Sequence, residues 1–183
     1  MPTQIALLRA VNVGGKNAVA MADLRQLAEG LGGSSVATLL QSGNLVFDLA
    51  RPKGADLERL LEREAGARLG LATDFFVRTA TEWDQVVRHN PFPEEAAQTP
   101  TQLVVVVLKQ PVQAQAVARL RDRIVGPERI HAEGAQLYAH YPQGQGRSKL
   151  TIALMEKHLA TRGTARNWNT VLKLQTLAAG PRG

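Results

Sequence analysis

Ile5-Ala6-Leu7-Leu8-Arg9-Ala10-Val11-Asn12-Val13-Gly14-Gly15-Lys16-Asn17 decides how the rest of the chain is read. The run Ile5 to Leu8 is short and wholly apolar, as a central strand buried on both faces would be. After the loop, Met21, Leu24, Leu27, Ala28 and Leu31 fall at helical spacing, and Gly32-Gly33 ends the helix. The chain therefore opens with a strand, a polar glycine loop and a helix.

Ser35 to Leu40 reads as a second strand. Gln41-Ser42-Gly43-Asn44 is turn chemistry, and Leu45-Val46-Phe47 follows at once as a third strand, which makes a hairpin. Asp56 is placed to cap the next helix, whose apolar stripe is Leu57, Leu60, Leu61, Ala65 and Leu69. Asp74-Phe75-Phe76-Val77 is a fourth strand, which completes the βαββαβ order of a ferredoxin-like sandwich. Thr81 and Asp84 resemble a capping box for a short helix holding Trp83, Val86 and Val87, and the polar segment 94–100 reads as a linker.

The pattern then begins again. Leu103 to Leu108 carries four consecutive valines, and Val117, Leu120 and Ile124 mark a helix whose outer face shows Arg119, Arg121 and Arg123. Glu128 to Ala132 and Gln136 to Tyr141 form a hairpin across Glu133-Gly134-Ala135, and Ser148 caps a helix carrying Leu150, Leu154 and Leu159. A final helix from about Asn167 to Leu177 replaces or covers the missing last strand. The expectation is an α+β chain of two ferredoxin-like (βαββαβ-type) halves. Each has an antiparallel sheet with helices packed on one face, and an extra helix ends the chain. The halves are residues 1–93, with the glycine loop, and residues 101–183, a βαββα unit with a basic surface.

Composition narrows the function classes. The chain has no cysteine, which excludes disulfides, thiolate metal sites and cysteine nucleophiles. No stretch approaches a membrane span and no signal peptide opens the sequence, so a cytoplasmic setting without membrane partners is expected. Of the net charge of +6, residues 1–91 contribute nothing, with 10 Lys/Arg against 10 Asp/Glu; residues 92–183 hold 12 against 6. That half has the sign expected for a phosphate-rich partner, although an arginine-rich solubilising surface has the same composition. Aromatic content of 4% argues against a stacking platform for single-stranded nucleic acid.

In a βαββ unit the first two strands run the same way with the third between them, so the glycine loop and the Gln41–Asn44 turn leave the sheet at one end. Two strand spacings put them on the order of 10 Å apart. Arg9, Asn12, Gly14, Gly15, Lys16 and Asn17 offer cations, amides and backbone N–H groups to an anion. The alternative is that the glycines turn the chain and Asn12 and Asn17 bond its backbone. Walker A chemistry is disfavoured, because position 10 is Ala and position 17 is Asn. Gln41, Ser42, Gly43 and Asn44 suit a base edge, an amide or a sugar hydroxyl, or else a hairpin closed by its own side chains. Ser148 and Lys149 sit at a helix start, where free N–H groups favour an anion. In Arg166-Asn167-Trp168-Asn169, Asn167 is a good helix cap and Trp168 reads as core; Arg166 and Asn169 point elsewhere. His89, His131, His140 and His158 lack metal-ligand spacing, and no Gly-x-Ser-x-Gly elbow is present. No metal or cofactor is expected, and no general base stands out.

Four blocks resemble a bacterial family known as domain of unknown function 1697. They are Ile5–Arg9 leading into Asn12–Asn17, Gln41–Phe47, Ser148–Thr151 and Arg166–Val171. Members usually have Gly where Ala10 stands and Pro where Ala20 stands. The resemblance implies these residues as the ones to test and carries no reaction. The expected function is binding of a phosphorylated or anionic ligand, a nucleotide or nucleic acid, at the glycine loop and hairpin. The alternatives are an interaction scaffold without a ligand, or a metal-independent enzyme acting on a small anionic substrate.

Overall fold

The computed structural model describes residues 1–182. The chain forms two compact units: Met1–Gln85 together with the C-terminal residues from Lys173, and Val86–Leu172. In the first, β1 (Thr3–Leu8), α1 (Met21–Gly30), β2 (Ser34–Thr38), β3 (Asn44–Asp48), α2 (Gly54–Leu69) and β4 (Phe75–Thr79) follow in turn. The sheet order is β2-β3-β1-β4 with every pair antiparallel, the ferredoxin-like arrangement. Its core joins Ala6, Leu8, Leu45, Phe47, Phe75 and Val77 of the sheet to Leu24, Leu27 and Ala28 of α1 and Leu57, Leu61 and Ala65 of α2. Those helical positions recur every three or four residues, so each helix buries one stripe on the same face of the sheet.

Edge strand β4 is protected by side chains of α2. Glu62 Oε1 accepts from the Phe75 N–H at 2.9 Å, and Glu58 Oε1 accepts from the Val77 N–H at 2.8 Å. Two outward-facing ladder donors are thereby closed to pairing with another strand. At the other end of the unit, the buried Arg182 guanidinium pairs with Asp48 and donates to Thr3 Oγ1 at 3.2 Å.

Helix α3 (Ala80–Arg88) follows β4 directly. Its capping box is Thr79 with Glu82, not Thr81 with Asp84: the Glu82 carboxylate accepts from the Thr79 N–H at 2.7 Å, and the Glu82 N–H donates to Thr79 Oγ1 at 3.2 Å. Residues 94–100, expected as a linker, instead complete α4 (Pro93–Gln98) and lead into a short 3-10 turn at Pro100–Gln102.

The second unit contains β5 (Leu103–Leu108), α5 (Ala114–Arg121), β6 (Arg129–Glu133), β7 (Gln136–His140), α6 (Ile152–Leu159) and β8 (Gly163–Asn167). Sheet order β6-β7-β5-β8 repeats that of the first unit. The expected missing strand is therefore present: β8 pairs with β5 from Val104↔Asn167 to Leu108↔Gly163. Gly163 permits a close approach, since a Cβ there would lie 2.8 Å from Val106 Cγ1 and 2.9 Å from Leu108 Cδ2. Helix α7 (Trp168–Ala179) starts immediately after β8. Two further caps differ from expectation. Thr151, not Ser148, caps α6 by accepting from the Leu154 N–H, and α2 starts after Lys53, leaving Asp56 in its first turn. Asn167 does cap α7, its Oδ1 accepting from the Thr170 N–H at 3.0 Å.

Candidate functional site

The glycine loop is a miniature hairpin. The Lys16 N–H donates to Val13 O at 3.1 Å and the Asn12 N–H to Asn17 O at 3.2 Å. Gly14 and Gly15 fill the two central positions with φ of 58° and 72°, the left-handed pair of a type I′ turn. Glycine meets this requirement at little steric cost, so the turn tip stands exposed with Lys16 beside it.

Asn12 fastens this loop to its surroundings. Its amide Nδ2 donates to Gln41 O at 2.8 Å and to Val19 O at 3.1 Å, while Oδ1 accepts from the Val19 N–H at 2.9 Å. The Leu8 N–H also donates to Gly43 O at 2.9 Å. The loop and the Gln41–Asn44 turn thus share direct hydrogen bonds rather than standing two strand spacings apart. A third chain segment joins them: the Arg9 N–H donates to Asp74 O at 3.1 Å, and Thr73 Oγ1 donates to Arg9 O.

The residues of this rim differ in what they present. Gly14, Gly15, Lys16, Asn17, Gln41 and Ser42 are exposed, and Arg9 and Asn12 are half-buried. Asn44 is fully buried, its Nδ2 donating to Leu39 O at 2.6 Å and to Ser42 Oγ at 3.0 Å, so its amide closes the hairpin from within. Asn17 Nδ2 reaches back to Ala10 O at 3.4 Å.

Ala10, Asn12, Asn17 and Leu40 are non-glycine residues with positive φ at this rim. An alanine at φ 51° carries a steric cost of roughly 1–2 kcal/mol that glycine avoids. Ala10→Gly is therefore expected to raise stability by about 0.5 kcal/mol after the added chain entropy is subtracted. Denaturant unfolding at neutral pH measures this; a destabilised variant would show that the left-handed conformation of residue 10 is unstrained.

Beside the rim lies an open groove of about 570 Å³ lined by Asn12, Ala18, Val19, Ala20, Asp23, Arg68 and Leu69. Arg68 lies in the last turn of α2 and pairs through Nε with Glu64 at 3.0 Å. Arg63, whose guanidinium also bonds Glu64, together with Arg68 holds that carboxyl below the usual carboxylate range. Sequence reading missed Asp23, Arg68 and Thr73 as neighbours of the loop. The i,i+4 spacing of Glu64 and Arg68 predicts their pairing but not which loop they face.

The C-terminal candidates belong to the second unit. Ser148 is half-buried; its Oγ donates to Glu128 Oε1 at 2.6 Å and accepts from the Leu150 N–H at 3.0 Å, while Lys149 is exposed. Arg166 is buried, with Nη1 donating to Thr164 Oγ1 and to Ala165 O, each at 2.8 Å. Burial pulls its guanidinium down to about 10. Trp168 is buried, and Asn169 is exposed. Among the described residues, no cluster of three or more His, Asp or Glu is arranged to hold a metal, and no helix is long and apolar enough to cross a membrane.

A conserved bacterial protein from Streptococcus pneumoniae has a similar solved structure. The TM-score is 0.71 at 20% identity, covering 97% of this chain and 98% of the other, a likeness of fold. No curated protein matches the chain. Residues 1–138 match the family described as Protein of unknown function (DUF1697), a span that includes both the glycine loop and the hairpin and ends before the Ser148 and Arg166 blocks. With three-quarters of its length matched and both N-terminal blocks within that span, the chain belongs to the DUF1697 family of proteins of unknown function.

Proposed function

We propose that the protein binds a phosphorylated or anionic ligand, of the nucleotide or nucleic-acid class, at the glycine loop and the adjacent hairpin. One observation carries this reading: Asn12 bonds both segments, which fixes them as one rim while Lys16 and the Gly14–Gly15 tip stay exposed. A cation on a preorganised polar rim binds an anion without first having to order the loop. The setting proposed is the bacterial cytoplasm. The exposed Lys149 and the basic composition of the C-terminal half support nucleic acid as the larger ligand.

A thermal-shift and calorimetric screen of nucleotides, phosphosugars and short oligonucleotides at low salt tests the proposal. Lys16→Ala is expected to weaken a true ligand about tenfold, the loss of one charge-assisted hydrogen bond. Lys149→Ala should weaken only an oligonucleotide and flatten its salt dependence. Unchanged affinity in Lys16→Ala would remove the glycine loop from the site.

A second reading, an interaction scaffold without a ligand, is favoured by the burial of Asn44, Arg166 and Trp168. The Asn44 amide and the Arg166 guanidinium bond groups of their own unit. Silence across the whole screen would favour it.

A further inference from the structure

Helix α4 is anchored to the second sheet around one buried histidine. His140, on β7, is 7% exposed, and neither ring nitrogen has a hydrogen-bond partner. The Phe92 ring, at the start of α4, lies 6.3 Å from it with the planes tilted by 35°. Arg129 faces His140 across the β6–β7 ladder, holds its guanidinium 4.9 Å from the centre of the Phe92 ring and pairs with Glu95 of α4. Asn90 clasps the approach, its Oδ1 accepting from the Phe92 N–H at 2.9 Å. The two side chains that fix α4, Phe92 and Glu95, therefore converge on the His140–Arg129 pair. On the other flank β5 contributes the neutral Leu103. The charged groups facing the imidazole are Glu95 from α4 and Arg129 from β6.

A neutral imidazole tolerates this site, because its single N–H is the only donor left unbonded. An imidazolium would bring two unbonded donors and a second cation beside Arg129. Glu95 is the one carboxylate among the facing groups, and it already serves Arg129. Opening α4 would hydrate the ring and remove this cost.

We propose that protonation of His140 releases helix α4 from the second sheet, making residues 92–98 an acid-sensitive latch. Burial holds the closed-state imidazole below its ordinary value, with Glu95 opposing that shift and Arg129 adding to it. In the open state the ring regains the ordinary value of about 6.5. A group depressed in the closed state stabilises closure above the open-state value, and that stabilisation is lost as pH falls below it. Glu95 does not fail first. A backbone N–H and Arg129 hold its carboxyl below the usual range, so it remains charged through this window.

Hydrogen exchange on the full chain, corrected for intrinsic rates, tests the latch at pH 7.5 and pH 5.5. With the open ring titrating near 6.5 and the closed ring neutral, opening at pH 5.5 rises about tenfold. Amides of residues 96–99, whose N–H groups the helix holds, should therefore exchange faster by that factor, while those of β5 and β7 hold. His140→Gln and His140→Phe, which cannot titrate, should respond by less than about twofold. If neither variant folds, the imidazole resonances of the wild-type protein decide. His140 signals are expected to remain those of a neutral imidazole as pH falls through the ordinary imidazole value of about 6.5. Equal protection at both pH values, an acid response surviving in His140→Gln, or His140 signals titrating at the ordinary imidazole value of about 6.5 would overturn the latch.

Discussion

Glu58→Ala is expected to cost the N-terminal unit about 3–5 kcal/mol, the usual penalty for removing one partner of a buried ion pair. Glu58 is 5% exposed, accepts from the Val77 N–H at 2.8 Å and lies 3.8 Å from Arg78 Nη1. Arg78 is itself nearly buried, and desolvation already lowers its guanidinium, with Glu58 and then Glu82 acting against that shift. Alanine would take the Glu58 carboxylate from a nearly buried cation and leave an edge-strand donor without its acceptor. Glu82 offsets part of the charge, which argues for the lower end of the range. Glu58→Gln keeps an acceptor for Val77 and should fall between alanine and wild type. The Glu58→Leu, Arg78→Leu double variant should recover most of the loss, because desolvating the pair cost much of what it returned. Urea unfolding followed by circular dichroism reads all three. A Glu58→Ala protein within about 1 kcal/mol of wild type would mean that the pair behaves as a surface one.

Gly43→Ala should cost about 3 kcal/mol, combining a left-handed penalty of about 1–2 with overpacking of about 1–3 kcal/mol. Gly43 has φ of 80°, and a Cβ there would lie 2.6 Å from Val11 Cγ2 and 2.9 Å from Leu8 Cβ. Leu8 Cβ sits against strand backbone and Val11 is 1% exposed, so neither can yield without moving β1 or the loop. The bond from the Leu8 N–H to Gly43 O would be strained with it. Gly14→Ala is the matched control, having φ of 58° but nothing within 4 Å of the added carbon. It should cost only the conformational part, about 1–2 kcal/mol. Equal losses in the two variants would show that conformation, and not the approach of Val11 and Leu8, requires glycine at position 43. Under the proposed function, Gly43→Ala also weakens ligand binding, since it pushes the hairpin off the loop that carries Lys16.

The sequence determined those elements whose signal is local. Four valines in a row specify β5 with its bounds at Leu103 and Leu108. Apolar stripes placed α1 and α2, and turn residues placed both hairpins, because side-chain period and backbone freedom belong to neighbouring residues. The rule that a βαββ unit returns its loop and hairpin to one end was also enough to join the two halves of the rim. Their closeness was not legible: it depends on the Asn12 amide reaching Gln41 O, a bond between residues 29 apart.

Only tertiary structure decided the rest. Gly163-Thr164-Ala165-Arg166-Asn167 has no apolar run, yet it forms β8 because the free edge of β5 supplies the ladder and Gly163 lets the backbones approach. The caps moved for a similar reason: which of several nearby hydroxyls or carboxylates bonds the first turn depends on where the preceding strand ends. Burial of Asn44 and Arg166 was equally hidden, since each of these side chains goes inside with hydrogen-bond partners that the fold supplies. The pairing of His140 with α4 is the extreme case. Nothing local marks that histidine, and its environment exists only once Phe92, Glu95 and Arg129 have been brought to it from two other elements.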